Sequence, residues 1–136
     1  MDHTFQLRIV TPDREVVRDE AEEMQIPGRE GYLGVLPGHA PLISELKIGE
    51  ITYRKGAKVE HLAVTWGFLE ILPGQVTVLV EAAEKPEEID VDRAKAARER
   101  AEKRLKSPDP EVDFDRAQVA LDRALIRLQV AARRGL

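Results

Sequence analysis

Apolar and polar residues alternate with a period of two through the first part of the chain and recur every three to four residues through the last part. Phe5, Leu7 and Ile9 alternate with Gln6 and Arg8, as in a half-buried strand, and Thr11-Pro12-Asp13 supplies the turn after it. Val16 and Val17 open the next strand, and Glu22 to Ile26 forms a third. Leu42 to Leu46, Ile48 to Arg54 and Val59 to Thr65 follow, the last two separated by a Lys55-Gly56 turn. Trp66 to Leu72 continues as strand after a bend at Gly67, and Pro73-Gly74 turns the chain into Val76, Val78 and Val80. Short strands separated by turn signals, with no helix pattern between them, predict a β-sandwich or flattened barrel.

Pro86 ends the strand region, and from Ile89 the period changes. Ala94, Ala97, Ala101 and Leu105 share one face of a helix that stops at Lys106-Ser107-Pro108, with Asp90 or Asp92 as its N-cap. Ser107-Pro108-Asp109-Pro110 cannot be helical. A second helix is expected from about Asp113 to Arg134, with Ala117, Leu121, Ala124, Leu128 and Ala131 as its seam. Two helices joined by a short Pro-containing loop make an antiparallel hairpin, so the predicted organisation is an all-β unit over residues 1–86 and a helical hairpin over 87–136. Alanine seams allow close approach but bury little area per residue, which leaves the hairpin only marginally stable by itself.

The stretch Ile26 to Leu42, IPGREGYLGVLPGHAPL, concentrates the turn chemistry. Gly28, Gly31, Gly34 and Gly38 tolerate positive φ, and Pro27, Pro37 and Pro41 fix φ and remove donors, so a short strand carrying Tyr32, Leu33, Val35 and Leu36 is expected between two turns. Leu33, Val35 and Leu36 should anchor it. A phosphate loop would need Gly-Lys-Ser/Thr opening a helix, whereas His39 and Ala40 follow Gly38. His39 has no His or Cys at ligand spacing, so a loop imidazole satisfying turn backbone groups is expected in place of a metal ligand.

Composition narrows the class. The chain has 136 residues, 43% of them apolar, enough for one ordinary domain and an appendage. Its lack of cysteine excludes disulfides, thiolate catalysis and zinc-thiolate sites. Apolar runs break before 18 residues and the N-terminus has no basic region followed by an apolar one, so a soluble chain without a cleavable address or direct membrane insertion is expected. The net charge of −4 is uneven: residues 1–89 hold nine Lys and Arg against sixteen Asp and Glu, and residues 90–136 hold twelve against nine. A basic tail on an acidic body predicts an acidic surface or a polyanion as its target. The excess is too small for nucleic acid, and no aromatic is interleaved with the arginines for base stacking.

The arginines form stripes. Arg93, Arg100 and Arg104, and then Arg116, Arg123, Arg127 and Arg134, recur at helical spacing beside their apolar seams. Packing the seams would bring the stripes near each other, where an anion would relieve the repulsion. The alternative is a solvated basic face with local pairs such as Asp90 to Arg93.

Three motifs resemble one family. Gly28, Gly31, Leu33, Gly34, Leu36, Pro37, Gly38, His39, Pro41 and Leu42 fit the G-x-x-G-x-L-G-x-L-P-G-H-x-P-L signature of the epsilon subunit of F-type ATP synthases. Trp66 to Ile71 is similar to its G-G-F-x-E-V, with Trp66 departing from the first glycine. Ile89-Asp90-Val91-Asp92-Arg93-Ala94 matches the I/L-D-x-x-R-A motif of those bacterial epsilon subunits that bind ATP. The resemblance implies a sandwich of about ten strands in a non-catalytic rotor subunit. Such a subunit would meet gamma, the c-ring and the alpha and beta subunits, peripheral to the cytoplasmic face of the bacterial plasma membrane. It also implies ATP as a regulatory ligand and not a substrate, contacted by Glu84, Ile89, Asp90, Arg93, Ala94, Arg100, Arg123 and Arg127. Tyr32, Pro37, Gly38 and His39 would serve assembly, and Arg116, Arg123, Arg127, Arg133 and Arg134 would form an inhibitory tail. The alternatives are a purely structural rotor subunit without nucleotide, or a small hydrolase using Glu87, Glu88, Asp90 and Asp92. Those acids have no partner histidine or Gly-rich pocket, and Ser44 and Ser107 are the only serines.

Overall fold

A computed structural model describes residues 3–136. Ten strands precede two helices: β1 Phe5–Val10, β2 Glu15–Ala21, β3 Glu23–Gly28, β4 Gly31–Val35, β5 Leu42–Leu46, β6 Gly49–Lys55, β7 Lys58–Val64, β8 Gly67–Leu72, β9 Gln75–Val80 and β10 Ala83–Glu84. A 3-10 turn at Pro86–Glu88 leads into α1, Val91–Leu105, and α2, Phe114–Ala131. The strands form one sheet in the order β10-β7-β6-β3-β5-β8-β9-β1-β2, with β4 paired to β3. β1 runs parallel to β9, and the other pairs are antiparallel.

The sheet curls into a nearly closed flattened barrel. Asp19 of β2 accepts from the Tyr53 hydroxyl at 3.2 Å and Lys55 Nζ at 2.6 Å, and the Glu22 N–H donates to the Arg54 carbonyl at 2.8 Å, which ties the β2 edge to β6. The period-two residues Leu7, Ile9, Leu69, Val76 and Val78 point inward with Met24, Ile26, Ile51 and Leu62 and form one core. Burying that alternation removes one face of every strand from water, which is the main driving force for closure.

The turn-rich stretch differs from expectation in three ways. β3 runs on through Pro27 to Gly28, with Pro27 paired to Tyr32, so the hairpin turn is Arg29-Glu30. Only Gly31 and Gly38 of its four glycines take positive φ, at 135° and 82°. Leu36 lies beyond the strand at 59% exposure, so Leu33 and Val35 anchor β4 without it. Gly67 is required by crowding: a Cβ there would lie 1.9 Å from the Leu79 carbonyl oxygen. The bend therefore depends on Gly67, and Trp66 is accommodated before it.

Asp90 caps α1 by accepting from the Arg93 N–H at 3.0 Å, and Asp113 caps α2 through the Arg116 N–H at 3.0 Å. Ala94 and Ala101 face Ala117 and Ala124 across the hairpin, all buried. α2 ends at Ala131, three residues before the expected Arg134, and turns give way to Gly135 at φ 76°.

Candidate functional site

The sandwich meets the hairpin along α2, and the contact is mostly polar. Ala63 and Ile89 pack on Val130 and Ala131 as one small apolar cluster. Around it Arg123, Arg127 and Arg134 of the predicted stripe, and Arg133 beside them, are held by acids of the sandwich and by carbonyls of the turn that leaves it. Arg127 donates from Nε and Nη2 to the two carboxylate oxygens of Glu84, at 2.7 and 3.0 Å, a bidentate pair. Arg123 lies one turn earlier, its guanidinium carbon 4.8 Å from the centroid of the Trp66 ring and its Nη2 3.5 Å from Glu81. Arg123 Nε is buried without a partner. Arg133 reaches Glu50, and Arg134 donates to the carbonyls of Pro86 and Ile89.

A cavity of about 200 Å³ lies at this junction, lined by Thr65, Glu81, Glu84, Arg123, Ile126 and Arg127 among others. Three of the eight residues expected to contact a nucleotide thus converge on one cavity. Ile89 is buried in the joint between the units, Asp90 is spent as the α1 cap and Ala94 is buried in the seam. Arg93 and Arg100 stand exposed on α1. The two stripes approach elsewhere: Arg104 of α1 shares a cleft of about 640 Å³ with Arg116 and Arg123, where Asp113 and Asp115 offset the charge.

Two of the four acids of the hydrolase reading have structural roles. Glu88 accepts from the Lys85 N–H at 2.9 Å and from Arg14. Burial opposes its ionisation, but these two donors hold its pKa below the ordinary carboxylate value. Asp90 is a cap, and Glu87 and Asp92 are exposed.

The loop expected to serve assembly is closed by its own backbone. The His39 N–H donates to the Leu36 carbonyl at 3.1 Å, and its Nδ1 lies 2.7 Å from the Ala40 carbonyl, as a turn-satisfying imidazole should. Pro37 and Gly38 form the tip. The Tyr32 ring is exposed, but its hydroxyl accepts from the Glu50 N–H at 3.0 Å. The sequence does not reveal the Arg133–Glu50 pair or the Trp66–Arg123 stack, because both join residues far apart in the chain.

The family model for the ATP synthase delta/epsilon chain β-sandwich domain matches residues 4–86, and that for its long α-helix domain matches residues 87–132. The chain belongs to the ATP synthase delta/epsilon chain family. Its relatives are epsilon chains, non-catalytic subunits of the synthase. The epsilon chain of Koribacter versatilis is 61% identical over 111 residues, covering 82% of this chain and 78% of that one. The epsilon chain of Geotalea daltonii is 48% identical over 136 residues, 99% of each. A chain in the Euglena gracilis mitochondrial ATP synthase, in an assembly of OSCP, F1 and c-ring, shares the fold with a TM-score of 0.83 at 24% identity, covering 98% of this chain and 84% of that chain.

Proposed function

We propose that the chain is a rotor subunit of the central stalk of a proton-translocating ATP synthase, joining gamma to the c-ring and regulating ATP hydrolysis through a movable hairpin. The observation that carries this reading is that Arg123, Arg127, Arg133 and Arg134 are all engaged by the sandwich and its exit turn in the docked hairpin. The partly exposed Arg123–Glu81 and Arg127–Glu84 pairs hold modestly and exchange with water readily, and the same arginines become free when the hairpin leaves. Extended along gamma, they and Arg116 would face acidic segments of beta and inhibit hydrolysis. The sandwich supplies a docking face: Ile43, Phe68 and Leu79 of neighbouring strands β5, β8 and β9 are 72%, 54% and 52% exposed. No helix among the described residues is long and apolar enough to cross a membrane, which fits a peripheral place at the cytoplasmic face.

ATP would act as the latch. Bound at Arg123 and Arg127, with Glu84 holding the latter, it would favour the docked hairpin, and only such differential affinity shifts an equilibrium. At about ten times its dissociation constant it would add roughly 1.4 kcal/mol. Calorimetric titration of the chain with ATP tests this. Arg123→Ala and Arg127→Ala should each weaken binding about tenfold or more, and Arg116→Ala less. Reconstitution with alpha, beta and gamma should show salt-sensitive inhibition that is relieved on deleting residues 113–136. Absence of binding at millimolar ATP would leave a purely structural rotor subunit.

A further inference from the structure

Glu50 is the only buried charged residue among the described residues, 5% exposed. It stands on β6 in the outward position of the alternation, where the end of α2 crosses the strand. Its carboxylate accepts from Gln129 Nε2 at 2.7 Å, His61 Nδ1 at 2.8 Å and Arg133 Nε and Nη2 at 3.2 Å each. Gln129 and Arg133 belong to the hairpin, so the cluster is complete only when α2 is docked. Beside it the helix does not pack continuously on the sandwich: a cleft of about 760 Å³ runs between them, lined by Tyr32, Lys47, Thr52, Asp122 and Leu125 among others.

We infer that Glu50 is the receptor of a second, nucleotide-independent latch, occupied by this chain's own Gln129–Arg133 turn. The chemistry suits reversible docking. When α2 is seated, its Gln129 and Arg133 replace water around a carboxylate that His61 of β7 also holds. When it leaves, Glu50 opens to water, which solvates the charge in their place. Removing only one partner is the unfavourable case, because it leaves a charge both buried and short of donors. The apolar cluster at the same end is small, so the charge cluster sets where the end of α2 sits. Glu84, Arg123 and Arg127 share none of these bonds, so the latch acts whether or not a nucleotide is bound.

Amide exchange of the full chain without nucleotide tests the inference. Glu50→Gln and Arg133→Gln should each speed exchange across α2 about tenfold or more, the scale of a lost charge-assisted hydrogen bond, with β8 and β9 unchanged. The double variant should add little to either single one. The absence of cysteine allows spin labels at Lys58→Cys and Glu111→Cys, between which the single variants should broaden the distance distribution. Wild-type exchange across α2 in Arg133→Gln, or a double variant whose effect is the product of the two single ones, would overturn the latch. If Glu50→Gln disturbs β8 and β9, the exchange and distances of Arg133→Gln decide alone.

Discussion

Single atoms decide which of two strand glycines tolerates a side chain. At Gly67 a Cβ would meet the Leu79 carbonyl oxygen at 1.9 Å and the Val80 Cα at 2.7 Å, and backbone cannot move aside as a side chain can. Gly67→Ala should cost about 3 kcal/mol, read from urea unfolding followed by Trp66 fluorescence. At Gly34 the nearest atom is the flexible Gln25 Nε2 at 3.2 Å and φ is not positive, so Gly34→Ala should stay within about 0.5 kcal/mol in the same measurement. Trp66 stands where the family motif has glycine, and its ring is the surface on which Arg123 rests. That stack brings the Arg123 guanidinium toward Glu81, although Arg123 reads in the sequence only as a member of a basic stripe.

The helices are assembled from weak parts. Their buried seam residues Ala94, Ala101, Ala117 and Ala124 offer little apolar area, so caps and end contacts carry an unusual share of their stability. Asp113 supplies the α2 cap through the Arg116 N–H. Asp113→Ala should cost about 1 kcal/mol, seen as about fivefold faster amide exchange in the first turn of α2 with the sandwich amides unaffected. The far end of the same helix is held by Glu50, Pro86 and Ile89, so loosening one end need not release the other. An ordered helix thereby remains one that can leave its seat.

On the scale of the whole molecule, an acidic sandwich holds a basic hairpin, and the joint responds to protons. Burial opposes ionisation of Glu50, but hydrogen bonds from Arg133, Gln129 and His61 outweigh it and lower the pKa from its ordinary 4.5. The seated state therefore binds fewer protons than the released one, where Glu50 is hydrated. Docking is fully favoured above the ordinary carboxylate value and weakens as pH falls through the lowered one. The distance between labels at residues 58 and 111 should broaden on acidification below about pH 4.5, the ordinary Glu value. Glu50→Gln should remove its share of that dependence, which separates it from the exposed carboxylates.

Period and turn chemistry settled the architecture. The alternation of Phe5, Leu7 and Ile9, the Lys55-Gly56 and Pro73-Gly74 turns, and the shift of period after Pro86 are local signals, and each became an element within a few residues of its expected place. An acidic N-cap at Asp90 or Asp92 and the alanine seams were legible for the same reason, and the structure places the cap at Asp90. β10 was not, because two residues carry no period. The continuation of β3 through Pro27 was hidden by residues that usually break strands. The arginines could be placed on a face but not given partners, since Glu81, Glu84 and Glu50 lie 42, 43 and 83 residues from Arg123, Arg127 and Arg133. Glu50 shows the limit most clearly. Alternation assigns it to solvent, and it is buried only because α2 is laid across β6, a meeting fixed by the closure of the sheet and the direction of the hairpin, neither of which any stretch of sequence near Glu50 encodes.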